Sequence, residues 1–236
     1  MIEPLVLVPG MMCDARIFAH QILHLSRDRA VMVAPITQGE TIDDIAMSLL
    51  GQLPERFALC GLSMGGIVAM ELLRRLPERI TRLCLMGTSP LAETPGEAAA
   101  REPMLVRVQA GQLADVMRET MRPEFLAPGP QRMEVLNRFW QMGEELGSDL
   151  YLRQSRALQR RKDQQATLRK SRVPTLILCG DHDAMVPVRR HEFMSELMPN
   201  ARLHVLENAG HLPVVETPET VTQVLGQWLS MPTGTV

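Results

Sequence analysis

The sequence predicts an α/β fold in which about six mainly parallel strands are flanked by helices, with a helical segment inserted after the fourth strand. Three observations carry this. Short continuous apolar runs recur, most of them closed by Gly or Pro; helix-period stretches separate most of these runs; and between Pro90 and Pro174 the alternation stops. Apolar runs of this length without polar alternation suit strands buried on both faces. Strand and helix in turn indicate a parallel sheet covered on both sides.

The predicted strands are residues 5–8, 30–34, 57–60, 83–86, 176–179 and 203–206. A helix is expected over 67–76, with Val68, Leu72 and Leu76 on one stripe, Arg74 and Arg75 opposite, and Pro77 as its stop. Further helices are expected over 192–198 and 221–229, the latter opening near Thr217 as N-cap with Pro218 at its first turn. This divides the chain into a core formed by 1–89 and 174–236, and an inserted helical cap over 90–173. Met104, Met117, Met121, Met133 and Met142 lie in the insertion, where a Met-rich wall suits an adaptable lid over an apolar substrate and amphipathic packing gives the same pattern. From Arg153 to Arg172 the insertion is strongly basic, which fits a solvated helix face or steering of an anionic substrate.

Length and charge narrow the function. The 236 residues suffice for one domain with an insertion and a sizeable core. The formal charge of −2, from 25 basic against 27 acidic residues, offers no field for nucleic acid or an anionic bilayer. The N-terminal MIEPLVLVPG lacks a basic, then apolar, leader, and no apolar run approaches the ~18 residues of a membrane span, so a cytoplasmic protein is expected. Cys13, Cys60, Cys84 and Cys179 form no CxxC pair, and three lie within apolar runs, which suits free core thiols. No His/Cys/Asp/Glu cluster has metal-ligand spacing, so neither metal nor cofactor is expected.

The segment FALCGLSMGGIVAM carries the chemistry. A buried strand ends in GLSMGG and a helix begins at once, placing Ser63 on a tight strand-to-helix turn of the GxSxG kind. A serine strained into positive φ crowds the positions two residues either side, and Gly61 and Gly65 remove the clashing Cβ atoms. Gly66 would let the helix lie close to the neighbouring strand. A serine hydroxyl is a poor nucleophile at neutral pH and needs a base and an orienting acid. Of six histidines, His211 in NAGHLP falls on a loop between the last strand and the last helix, at the strand ends where a base is needed. His204 falls in a strand and His191 in a helix, and His20 and His24 share a surface-like helical face. Between Ser63 and His211 the strand LILCG leads into DHDAMVP, offering Asp181 and Asp183 as acids, although either could be a turn former. An oxyanion hole needs two backbone donors, for which Met64 and Met11 are the candidates, the latter in the loop after the first strand.

Over nearly its whole length the chain resembles the α/β-hydrolase family, through the loop at Pro9 to Met12, the elbow at Ser63, the insertion, Asp183 and His211. GLSMGG together with NAGH is similar to the small esterases, enol-lactonases and cofactor-free perhydrolases. The resemblance favours Asp183, because Gly180, Asp183 and Pro187 fit the family's GxxDxxxP spacing. Pro9-Gly10 departs from the His-Gly common among relatives, and the first strand occupies the place of the family's third. A metal-free serine hydrolase acting on a carboxylic ester or lactone is therefore expected. Thioester hydrolysis, carbon–carbon bond hydrolysis, perhydrolysis and a non-catalytic ligand-binding role are the alternatives.

Overall fold

A computed structural model describes residues 2–231. Six strands form one sheet: β1 (Leu5–Val8), β2 (Val31–Val33), β3 (Phe57–Leu62), β4 (Ile80–Met86), β5 (Thr175–Gly180) and β6 (Ala201–Leu206). Their spatial order is β2-β1-β3-β4-β5-β6, and every neighbouring pair is parallel. The side-chain period of two sends alternate residues of each strand to opposite faces. Leu5, Leu7, Ala58, Cys60, Cys84 and Met86 face one core, beneath α1 (Ala19–Leu25) and α12 (Pro218–Ser230). Val6, Val8, Phe57, Leu59, Leu83 and Leu85 face the other, beneath α2 (Ile42–Leu49), α3 (Met64–Arg75) and α10 (Val188–Leu197).

This winding positions the site. The chain leaves β1 toward one face and leaves the adjacent β3 toward the other. Their carboxyl ends therefore diverge, and a crevice opens where loops from both strands meet. Met11 follows β1 and Ser63 follows β3, so both candidates lie at that switch point.

All six strands are where they were expected, but burial differs from one to another. β1, β3 and β5 are buried throughout, whereas β2 is half-buried and β6 alternates, with His204 and Val205 exposed. Both are edge strands, each with a neighbour on one side only. β4 begins three residues earlier than expected, through Thr81 and the buried Arg82, whose guanidinium donates to the Trp228 carbonyl at 2.7 Å. α3 begins directly after Ser63, and residues 64–73 are buried on all sides instead of along one stripe. It buries a charge as well. Burial alone would raise the Glu71 carboxyl, but hydrogen bonds from Arg74, Arg75 and Gln164 hold it down at about 2. Pro218 does open α12, but Thr217 supplies no side-chain cap: its hydroxyl donates instead to the Pro213 carbonyl at 3.3 Å.

Between β4 and β5 the chain is helical: α4 (Pro95–Ala100), α5 (Glu102–Gln109), α6 (Leu113–Thr120), a 3-10 turn at Pro123–Phe125, α7 (Arg132–Leu146), α8 (Ser148–Gln159) and α9 (Gln165–Lys170). Pro95 and Glu97 start α4, Glu97 closing a capping box with Thr94. Leu105, Val116, Leu136, Phe139 and Tyr151 from these helices join the same buried cluster as α1 and α12. Among the described residues no helix is long and apolar enough to cross a membrane.

Candidate active site

Ser63 sits at φ 52 and ψ −116, a strained region that a non-glycine residue occupies only when its surroundings enforce it. Its amide donates to the Met86 carbonyl at 2.8 Å, and its own carbonyl accepts from Gly66 and Ile67, so sheet and helix grip the turn from both sides. A Cβ on Gly61 would overlap the backbone of Gly65 and Gly66 across the elbow. One on Gly65 would overlap the Val8 and Pro9 carbonyls, so this glycine also admits the loop after β1. Gly66 abuts Thr88, just beyond β4, as a close helix–strand approach requires.

The Ser63 hydroxyl lies 2.9 Å from His211 Nε2, and His211 Nδ1 lies 2.9 Å from Asp183 Oδ2. A carboxylate oxygen only accepts, so Nδ1 carries the proton toward Asp183, and Nε2 is left to accept from the serine. The other carboxylate oxygen, Oδ1, accepts from the amides of Met185 and Val186 at 2.9 and 2.8 Å, which fixes the rotamer. Asp183 and His211 are both buried. Asp181, two residues away, is exposed, and its carboxylate accepts from the Ala209 amide at 3.3 Å and makes no hydrogen bond to His211. A hydroxyl, an imidazole and a carboxylate joined in this order can pass a proton from the serine and hold the resulting imidazolium.

Three residues that the sequence reading passed over fix the rest. The half-buried Glu216 carboxylate, at the end of α11 (Pro213–Glu216), accepts from the amides of Gly210 and Leu212 on either side of His211 and from Ala127 in the helical segment, all at 2.7–2.9 Å. Burial pushes its pKa up, and those three hydrogen bonds pull it back in part. The Phe125 carbonyl accepts from the His211 amide at 2.8 Å. Gln154 of α8, fully buried, accepts from Met12 at 2.8 Å and donates to the Ile36 carbonyl at 3.0 Å. Met12 itself has φ 54, so Gln154 holds a strained residue next to Met11. Among the described residues, neither the Met11 nor the Met64 amide has an acceptor within the chain, and both residues line the cavity that contains Ser63.

That cavity measures about 810 Å3. Of the five insertion methionines, only Met104 and Met121 line it. Met117 and Met142 are buried in packing, and Met133 is exposed, because the five fall on different helical faces. Cys13 also lines the cavity, but burial, with the Asp14 carboxylate adding to it, pushes its thiol up to about 12, so it stays protonated. All four cysteines are buried and free. Among the described residues, no three His, Cys, Asp or Glu side chains converge as a metal site.

The remaining histidines lie apart from the serine, with His182 exposed beside Asp181. His191 is buried in α10, where its Nε2 accepts from the Thr88 amide at 3.2 Å and desolvation lowers its pKa to about 4. His204 is exposed on β6. His20 and His24 stack at 4.0 Å, half-buried between α1 and α12, with His20 Nδ1 2.9 Å from the Thr222 hydroxyl, so they pack helices and are not free surface residues.

With this geometry in place, comparison with known proteins is informative. The profile of the Alpha/beta hydrolase family matches residues 5–224. A pimeloyl-[acyl-carrier protein] methyl ester esterase of Aromatoleum aromaticum is 31% identical over 199 residues, covering 77% of each chain. A thermophilic esterase from Thermogutta terrifontis superposes with a TM-score of 0.88 at 27% identity, over 96% of this chain and 89% of that one. The enol-lactonase from Burkholderia xenovorans superposes at 0.87 over 98% and 92%, and at 21% identity it speaks for the fold alone. The chain belongs to the Alpha/beta hydrolase family.

Proposed function

We propose that this member of the Alpha/beta hydrolase family is a serine hydrolase cleaving a carboxylic ester or lactone through an acyl-enzyme, with Ser63, His211 and Asp183 as its triad. The observation that carries this reading is the unbroken chain of two 2.9 Å hydrogen bonds from Asp183 through His211 to Ser63, opening on one cavity. Two relatives bearing the name esterase, at 31% and 27% identity, support the same substrate class.

In this mechanism the Ser63 oxygen attacks the carbonyl carbon as His211 Nε2 takes its proton, while Nδ1–H stays on Asp183. The carbonyl oxygen becomes an oxyanion held by the Met11 and Met64 amides, which lack acceptors of their own, and by the positive end of α3. Each such donor contributes roughly 10²–10³ in rate in well-studied cases. Collapse breaks the acyl–oxygen bond as His211 returns the proton to the departing alkoxide. Water, deprotonated by the same imidazole, then releases the acid and regenerates the serine. The helical segment 90–173 acts as a cap that shapes the cavity over Ser63 and holds the groups facing it.

The test is labelling with a fluorophosphonate probe followed by peptide mass mapping. The expected adduct lies on Ser63 and is absent from Ser63→Ala. A probe that leaves Ser63 unmodified while the wild-type protein hydrolyses activated esters would overturn the assignment.

A further inference from the structure

We propose that Arg161 forms an anion subsite in the cavity that holds Ser63, selecting esters or lactones that carry a carboxylate at a distance from the scissile bond. The proposal rests on the serine-hydrolase reading and specifies its substrate.

Arg161 lies between α8 and α9, and its side chain lines the same cavity as Ser63 and His211. Four arginines of the basic stretch have partners, and its two lysines are exposed to water: Arg153 donates to the Thr37 carbonyl, Arg156 pairs with Glu102 at 2.6 Å, Arg160 lies 3.9 Å from Glu40, and Arg169 donates to Gln165. Arg161 differs. Among the described residues its guanidinium makes no hydrogen bond and no ion pair, and its Nε is buried without a partner. Desolvation lowers its pKa, the cost expected of a cation held away from water. A buried donor without a partner is uncommon in folded proteins, since it forfeits hydration with nothing in exchange.

The acids near Arg161 do not supply the missing acceptor. Glu93 is bound in a fork by Arg101, with contacts of 2.6–3.1 Å, and Glu97 is engaged by the amide and hydroxyl of Thr94 in the α4 capping box. The fields acting on Arg161 come from Glu93 and Glu97 on one side and from Arg101 and Arg190 on the other. Glu93, Glu97, Arg101 and Arg161 line this end of the cavity, and because Arg101 and Thr94 already engage the two carboxylates, Arg161 is the cation there whose hydrogen-bonding capacity is left over. The planar fork of a guanidinium matches a carboxylate in two parallel hydrogen bonds. In a cavity of about 810 Å3 there is room for a chain between an acyl group on Ser63 and such a carboxylate.

The experiment compares nitrophenyl half-esters of straight-chain dicarboxylic acids, from succinate to suberate, with the matching esters whose far end is a primary amide. The readout is the ratio of kcat/KM for acid over amide at each length, in the wild type, Arg161→Met, Arg161→Lys and the neighbouring Arg160→Met. At one or two chain lengths the wild type should favour the acid by about tenfold or more, the value of one charge-assisted hydrogen-bonded pair. Arg161→Met should bring that ratio to about one, Arg161→Lys should retain part of it, and Arg160→Met should leave it as in the wild type. Equal rates for acid and amide at every length, or a preference that survives in Arg161→Met, would overturn the subsite. Failure of the hydrolase reading looks different: no half-ester or amide is cleaved and fluorophosphonate leaves Ser63 unmodified. Calorimetric titration of Ser63→Ala with the free dicarboxylates then decides the subsite alone. Binding lost in Ser63→Ala/Arg161→Met supports it, and no binding, or binding unaffected by the second change, overturns it.

Discussion

Ser63 and its neighbours 61–66 are positioned by one another, whereas the Met11 loop and His211 are positioned by residues far away in sequence. The elbow owes most of its geometry to the end of β3, Gly61 and the first turn of α3, all within a few residues, with the Met86 carbonyl of the adjacent strand holding the Ser63 amide. The loop after β1 is held by Gln154, 142 positions from Met12, and the His211 loop is tied at once to Phe125, Ala127 and Glu216. One half of the site is therefore built into local backbone, and the other depends on the helical segment between β4 and β5. Cutting out residues 104–168 should accordingly impair the reactive groups as well as substrate choice, since it removes Gln154, Phe125 and Ala127. From the sequence alone, substrate choice would be expected to change more than the serine's reactivity.

The largest effect that sharpens this contrast comes from the paired aspartates. Asp183→Asn should lower kcat on an activated ester by up to about ten-thousandfold, because the amide cannot hold the imidazole in its working tautomer. Asp181→Asn should stay within about twofold, losing at most one long, part-buried hydrogen bond. Saturating kinetics on both folded variants measures the difference, and a crippled Asp181→Asn beside a normal Asp183→Asn would reverse the assignment.

Next come the distant supports. Gln154→Leu leaves the Met12 amide and Ile36 carbonyl unpartnered in the interior, and Glu216→Gln replaces one acceptor oxygen with a donor facing amide protons. Either should reduce kcat by roughly tenfold, equivalent to 1–2 kcal/mol, through drift of groups that never touch the substrate. Stopped-flow turnover and the rate of fluorophosphonate labelling should fall together. Rates equal to wild type in both variants would show that the elbow needs no help from the helical segment.

The smallest effect is one of stability. His191 titrates at about 4 in the fold, against the usual 6.5. Below 6.5 the unfolded chain takes up a proton that the folded one refuses, so stability is full above that value and drains as pH falls toward 4. Between pH 7 and pH 5 the loss should be about 2 kcal/mol, read from urea midpoints, and His191→Gln should show a shallower slope. A steeper slope in the variant would contradict the buried neutral imidazole.

The same division between local and distant constraint explains how much was legible in the sequence. GLSMGG and the apolar runs report short-range requirements, and the positions of the six strands and of Ser63 followed from them. Apolar composition does not reveal whether a strand has one neighbour or two, so the exposure of β6 was hidden. Polar Thr81 and Arg82 masked the start of β4, because their partners lie at the chain's ends. Nothing in the composition of α8 distinguishes Gln154 from a surface glutamine. Glu216 left one trace, a lone acid closing the apolar LPVV run just after His211. The Phe125 carbonyl left none, since a backbone acceptor has no side-chain signature.

Hydrolysis by this route requires that Ser63 become acylated. Rapid-quench mass spectrometry of the wild-type protein with excess nitrophenyl acetate tests it most directly. A burst of nitrophenol matched by one acetyl group on the peptide bearing Ser63, accumulating in the first turnover and absent from Ser63→Ala, is the predicted result. Steady turnover with no acetyl group on that peptide, or with the acetyl group on Cys13 or His211 instead, would contradict it.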